Sequence, residues 1–109
     1  MAEIRYYVDE DGKAPFADWV KDLDEVAAFK VAGALTRMAA GNLSNAKSVG
    51  AGVLEFRIDF GPGYRVYFGR DGETLVILLT GGTKKRQQRD ILAARAFWLD
   101  YKQTKRVRQ

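Results

Sequence analysis

Two arginines, two carboxylates and a tyrosine recur at alternate positions of two neighbouring segments. Glu55, Arg57 and Asp59 lie in Val53–Phe60, and Arg65 and Tyr67 lie in Tyr64–Phe68. In a strand, residues two apart share a face. A three-residue loop at Gly61-Pro62-Gly63 predicts that Phe60 opposes Tyr64, Asp59 opposes Arg65 and Arg57 opposes Tyr67. All five polar residues then share one face, while Phe56, Ile58, Val66 and Phe68 enter the core. Arginine suits phosphate because its planar fork binds two oxygens at once and stays charged. Tyrosine stacks on a base or hydrogen-bonds a phosphate. Lys84, Lys85 and Arg86 follow just beyond the next strand. The same residues also read as ordinary ion pairs on a solvated face, worth ~0–1 kcal/mol each. On either reading, truncating Arg57 or Arg65 is expected to cost little packing.

Other chemistry is excluded by composition. The 109 residues contain no cysteine and no histidine. Disulfides, thiolate sites, Ser-His-Asp hydrolysis, two-histidine ribonuclease chemistry and most zinc sites are therefore absent. No metal or cofactor is expected. Carboxylate pairs such as Asp9/Asp11 and Asp22/Asp24 fall where turns and helix starts want acidic caps. The net charge of +4 is uneven. Residues 1–55 hold six basic and nine acidic side chains, and residues 56–109 hold twelve basic and five acidic. The excess is densest at Lys84, Lys85, Arg86, Arg89, Arg95, Lys102, Lys105, Arg106 and Arg108. Such asymmetry fits a polyanionic partner, or simply a solubilising helix with a basic tail.

The elements that must position these groups are legible from periodicity. The length suits one domain, 1–109, with a basic C-terminal tail from about residue 102. Glu3–Val8 alternates as a first strand. Pro15–Lys21 reads as a short helix with proline in its first turn. Leu23, Ala27, Val31, Ala34, Leu35 and Met38 form a helical stripe over about Asp24–Ala40, ended by Gly41-Asn42. Strands follow at Val53–Phe60, Tyr64–Phe68 and Thr74–Thr80, the last apolar enough to be covered on both faces. Gly81-Gly82 reads as the turn out of that strand. A final helix spans roughly Gln87–Lys102, with Ile91, Ala94, Trp98 and Tyr101 on one side. Trp98 is expected to be buried and Arg95 exposed. The order β-α-α-β-β-β-α predicts an α+β domain, mainly an antiparallel sheet packed by helices. The longest apolar run, Leu75–Leu79, is far short of the ~20 residues that span a bilayer. With no signal-peptide pattern at Glu3 and Arg5, a cytoplasmic protein is expected, with no membrane partner.

An ordered series of short motifs runs through this framework. It comprises Pro15-Phe16-x-x-Trp19, Gly41-Asn42, Gly52-Val53-Leu54-Glu55-Phe56-Arg57-Ile58 and Gly61-Pro62-Gly63-Tyr64-Arg65-Val66-Tyr67-Phe68. Leu78-Leu79-x-Gly81-Gly82-x-Lys84 and Gln88-x-Asp90-Ile91 complete it. The series resembles the phage-derived, HigB-like branch of the RelE/ParE toxin superfamily. The resemblance implies a RelE-like fold and a toxin of a type II toxin–antitoxin pair. It also implies a co-encoded antitoxin partner, often a helix-turn-helix protein, and messenger RNA at the ribosome as target. Arg57 and Arg65 match the two strand arginines, and Lys84 matches the lysine after the double glycine. Two departures stand out: Thr83 where the branch often carries an acid, and the basic pair Lys85-Arg86 that follows. They leave open which of Lys84 and Lys85 is functional.

The activity so implied is an endoribonuclease, an mRNA interferase. The ribose 2′-OH attacks the adjacent phosphate without a metal. Arg57 and Arg65 stabilise the transition state, Lys84 or Lys85 neutralises phosphate or assists the leaving group, and Tyr67 orients the nucleotide. Glu55 or Asp59 is the base in this scheme. Lys85, Arg86, Arg89, Lys102, Lys105, Arg106 and Arg108 bind RNA. The ParE branch poisons DNA gyrase on much the same fold. A non-enzymatic gyrase inhibitor acting through the last helix, and a degenerate toxin that only binds its antitoxin, are the alternatives.

Overall fold

The computed structural model describes residues 2–108, with side chains 2–105. Eight elements follow one another: β1 (Glu3–Tyr6), α1 (Pro15–Lys21), α2 (Glu25–Ala39), β2 (Ala46–Ser48), β3 (Leu54–Ile58), β4 (Tyr64–Asp71), β5 (Leu75–Thr83) and α3 (Gln87–Arg108). A single 3-10 turn, Lys84–Arg86, joins β5 to α3. The five strands lie in the order β1-β5-β4-β3-β2, with β1 parallel to β5 and every other pair antiparallel. This is the expected α+β arrangement with the β3-β4-β5 meander at its centre.

Local chemistry explains the helices. Pro15 occupies the first turn of α1, where its missing N–H costs nothing. Asp24 caps α2, its carboxylate accepting the Ala27 N–H at 2.8 Å. Asp9 behaves as a turn residue, accepting from the backbone of Asp11 and Lys13, whereas Asp22 sits at the C-cap of α1 rather than at a helix start. The α2 stripe meets Phe16, Phe56, Ile58, Val66 and Phe68 in one core on one side of the sheet. On the other side α3 lays Ile91, Ala94 and Trp98 over Val53, Tyr67, Ile77 and Leu79. Trp98 is buried and Arg95 exposed, as the stripe predicts.

Four expectations need correction. The β3–β4 register is shifted by two residues from the one a three-residue loop implies, because the turn is two residues longer: Ile58 opposes Tyr64, Arg57 opposes Arg65 and Glu55 opposes Tyr67. Backbone bonds from Phe60 to Ile58 and from Gly63 to Phe60 fold residues 59–63 into the turn, with Gly61 and Gly63 at φ 56° and 80°. A shift of two keeps Glu55, Arg57, Arg65 and Tyr67 on their predicted face, but Asp59, expected there opposite Arg65, lies in the turn instead. Second, the polar connection after α2 contains β2, too short and too little alternating to be read as a strand.

Third, the double glycine is not a turn, since β5 continues to Thr83. A bulge inserts one residue into β5 between the Tyr67↔Thr80 and Phe68↔Leu78 pairs. It turns Gly81 toward α1 and Gly82 toward α3. A Cβ on Gly81 would lie 2.2 Å from the Trp19 ring, and one on Gly82 would lie 1.8 Å from the Asp90 carboxylate. Each glycine therefore admits one side chain from one side of the sheet. Fourth, the segment expected as a basic tail from about 102 continues α3 to Arg108. The side chains of Arg106 and Arg108 lie outside the described residues.

Candidate functional site

Strand pairing assembles two cross-strand rows on the α3 side of the sheet. Lys47 opposes Glu55, which opposes Tyr67, which opposes Thr80. Next to it, Arg57 opposes Arg65, which opposes Gly82 with Asp90 above it. The shared face of Glu55, Arg57, Arg65 and Tyr67 is as predicted from parity. Its solvation is not. The sequence placed α3 on the sheet without saying on which side, and α3 covers the middle of this face. Glu55 is 1 % exposed and Arg65 6 %, and Tyr67 is fully buried. Only Arg57, toward the strand edge, is open to solvent, paired loosely with Asp59 at 3.5 Å.

The buried groups form a network. The Arg65 Nε lies 3.5 Å from Glu55 Oε1, and Lys47 Nζ approaches the same oxygen to 3.9 Å. Gln87, in the first turn of α3, donates to Glu55 Oε2 at 2.9 Å. Burial is the main cause that pushes the Tyr67 hydroxyl well above its usual range, with the Glu55 carboxylate adding to it. Burial likewise raises the Asp90 carboxyl, against the opposing pull of Arg86 and Arg89. Four buried polar atoms here lack a hydrogen-bond partner: Glu55 Oε1, Arg65 Nε, Tyr67 OH and Asp90 Oδ2. Such concentration of unmet polar groups is costly to stability and characteristic of sites kept for function.

Lys84 joins the network through a backbone atom. The Gly63 carbonyl accepts both the Lys84 backbone N–H at 2.9 Å and the Arg65 Nη1 at 3.2 Å. The β3–β4 turn thus ties the arginine to the residue that opens the turn into α3. Lys84, Lys85, Arg86 and Arg89 are exposed, and among the described residues none of them forms an ion pair. The other basic residues of α3 with described side chains are engaged locally. Lys105 bonds both oxygens of Asp71 at 2.5 and 2.6 Å, Arg95 donates to the Val49 carbonyl, and Lys102 sits 5.7 Å from the Trp98 ring centre.

Glu55 and Arg57 also line a cleft of about 200 Å³ at the β2–β3 edge, with Ser44, Asn45, Ala46 and Lys47. A buried carboxylate at the floor, an open arginine and a lysine at the rim suit a phosphodiester with its ribose hydroxyl. Three contributors escaped sequence reasoning. Lys47 lies on β2, which carries no periodic signal, whereas Gln87 and Asp90 look in sequence like an ordinary helix start. The signal for Asp90 was its pairing in sequence with the double glycine that makes room for it.

The fold and cleft define an α+β protein with a cation-rich sheet end built over a buried carboxylate–arginine pair. Residues 18–96 match the family described as Phage derived protein Gp49-like (DUF891). A protein of Haemophilus influenzae described as uncharacterized is 42% identical over 81 residues, covering 73% of this chain and 82% of that protein. The chain belongs to the phage-derived Gp49-like family.

Proposed function

We propose that this protein is the toxin of a type II toxin–antitoxin module and cleaves messenger RNA at the ribosome, silenced by a cognate antitoxin, often a helix-turn-helix protein. Family membership supports the reading, and one observation carries it: Arg57 opens into the same small cleft whose floor is the buried Glu55 carboxylate. In this reading Arg57 holds the scissile phosphate and stabilises the charge that builds on it. Glu55, covered at the cleft floor, takes the proton of the 2′-OH through one bridging water as that oxygen attacks phosphorus. The bond to the 5′ oxygen breaks, leaving a 2′,3′-cyclic phosphate, and Lys84 or Lys85 supplies the proton to the departing oxygen.

Arg65, enclosed between Glu55 and the Gly63 carbonyl, orients Glu55 and the Lys84 turn rather than meeting RNA. Tyr67, fully buried opposite Glu55 in the sheet, likewise positions Glu55 rather than meeting RNA. Lys84, Lys85, Arg86 and Arg89 carry the exposed charge that meets phosphates.

Brief induction followed by mapping of RNA 5′ ends tests the proposal. New 5′-hydroxyl ends within translated frames are expected. A gyrase-cleavage assay run alongside reads the alternative, and gyrase poisoning without new RNA ends would overturn the nuclease reading.

A further inference from the structure

A second groove adjoins the cleft and is not needed for the chemistry just described. It encloses about 340 Å³ between α2 and the β3–β4 turn, within the roughly 300–1,000 Å³ of small-ligand pockets. Arg57 and Asn45 line both hollows, so the two adjoin. Three cations border the groove, Lys30, Arg37 and Arg57, against the single carboxylate of Asp59. Lys30 is held with its ammonium 5.0 Å from the centre of the Phe60 ring. Arg37 is placed over Phe56 at 5.9 Å. Beside them Phe29 is 76 % exposed, the most open of the large apolar side chains among the described residues. An aromatic ring left in water on the rim of a positively charged groove has no role in the core of this fold.

We propose that this groove binds single-stranded RNA next to the scissile phosphate. A base stacks on Phe29, and Lys30 and Arg37 hold the adjoining phosphates. The inference rests on the nuclease reading and extends it from the reacting bond to the strand that carries it. Aromatic platforms interleaved with cations are how proteins track single strands without reading sequence, since every base has a stacking face. Charge complementarity favours RNA, because the groove and cleft together present Lys30, Arg37, Lys47 and Arg57 to the strand. Arg57, shared by both linings, sets a strand lying in the groove directly beside the cleft.

The test uses the full chain and a fluorescent 2′-O-methyl RNA 12-mer, which has no free 2′-OH and so separates binding from cleavage. Anisotropy titrations compare wild type with Phe29→Ala, with Lys30→Gln/Arg37→Gln, and with the distant control Lys13→Gln. All four substituted positions are exposed, and thermal melts verify folding. Phe29→Ala is expected to weaken binding about fivefold or more, the lower end of one base stack. The double variant is expected to flatten the slope of log affinity against log salt by about 1.4, at roughly 0.7 per phosphate contact on a single strand. Lys13→Gln is expected to change neither. A 2-aminopurine in the strand is expected to lose fluorescence on wild type and keep it on Phe29→Ala.

Unchanged affinity in both groove variants would overturn the proposal and assign the face to a protein partner. If wild-type RNA cleavage persisted in 5′-end mapping, the nuclease reading would stand without the groove. Failure of wild type to bind the 12-mer at low salt would also overturn the groove, with 5′-end mapping still deciding the nuclease reading.

Discussion

Arg65 and Glu55 form an ion pair sealed beneath α3, Nε to Oε1 at 3.5 Å, on the face that alternation alone would leave in water. Burial changes what the pair does. An exposed pair is worth ~0–1 kcal/mol, but removing one partner of a buried pair strands the other charge and costs about 3–5 kcal/mol.

The two strand arginines are therefore expected to part company. Arg65→Ala should destabilise the fold by about 3 kcal/mol or more, because Glu55 keeps only Gln87 and the distant Lys47. Arg57→Ala should cost about 1 kcal/mol or less, its only ion-pair partner among the described residues being the exposed Asp59. Urea unfolding of the two variants decides it. Equal midpoints would mean that Arg65 is not buried in solution.

The double glycine makes a second prediction. Gly82→Ala drives a methyl group into the Asp90 carboxylate, 1.8 Å away, and is expected to cost about 1–3 kcal/mol as overpacking. Replacing Asp90 by alanine in the same chain should recover part of that loss. A double-mutant cycle measures the coupling, and additive single effects would show that the two residues do not meet.

Asp90 also sets a pH signature. Its folded carboxyl is raised by burial, so the native state holds this proton more tightly than the unfolded chain. The stabilising contribution is full below the unfolded pKa, about 3.9, and is lost as pH rises through the higher folded value. Asp90→Asn should therefore gain on wild type as pH increases from about 4 to 7. Asp71 acts with the opposite sign: hydrogen bonds from Lys105 and then Tyr101 lower its carboxyl, so its contribution fades on acidification. Chemical denaturation across this range, read as the difference between variant and wild type, isolates Asp90. A difference flat in pH would refute the shift.

Alternation made the sheet legible because β3 and β4 each carry apolar residues every second position, and that pattern survives a two-residue error in register. The same rule could not reveal depth. Whether Arg65 meets water depends on where α3 crosses, and the apolar stripe of a helix says that it packs without saying on which side of the sheet. β2 was invisible because three residues with one small apolar side chain carry no period. The bulge in β5 escaped notice because an apolar strand covered on both sides has no alternation for an extra residue to interrupt.

The end of α3 separates packing from binding. Tyr101 donates to Asp71 at 2.6 Å, and Lys105 from the next turn clasps the same carboxylate. The Tyr101 hydroxyl is pushed up to about 12, chiefly by burial and then by that bond. Deleting residues after Tyr101 removes Lys102, Lys105, Arg106 and Arg108, and so four of the residues expected to bind RNA. With Lys105 engaged, the deletion should also cost up to about 1 kcal/mol of stability, measured by thermal melting. An unchanged melt would show the Lys105–Asp71 pair to be energetically silent.

The last prediction separates the nuclease from the gyrase inhibitor by where toxicity resides. On the nuclease reading, Arg57→Ala removes a transition-state contact at the open end of the cleft, and cleavage should fall about 10²–10³-fold with the fold intact. Replacing both Lys84 and Lys85 should likewise suppress cleavage, since either can serve the leaving group. Leu92 and Leu99, seven residues apart and both exposed on α3, should tolerate serine with growth inhibition unchanged. An inhibitor that docks through α3 reverses the order, because an exposed apolar stripe on a helix is what such docking uses. Toxicity would then vanish with Leu92→Ser/Leu99→Ser and persist in Arg57→Ala. Growth assays paired with 5′-end mapping read both axes at once. Arg65→Ala is unsuited to this comparison, since its loss of activity would be inseparable from loss of folding. Arg57, open at the strand edge and opposite Arg65 in the sheet, is the residue on which the two readings disagree most cleanly.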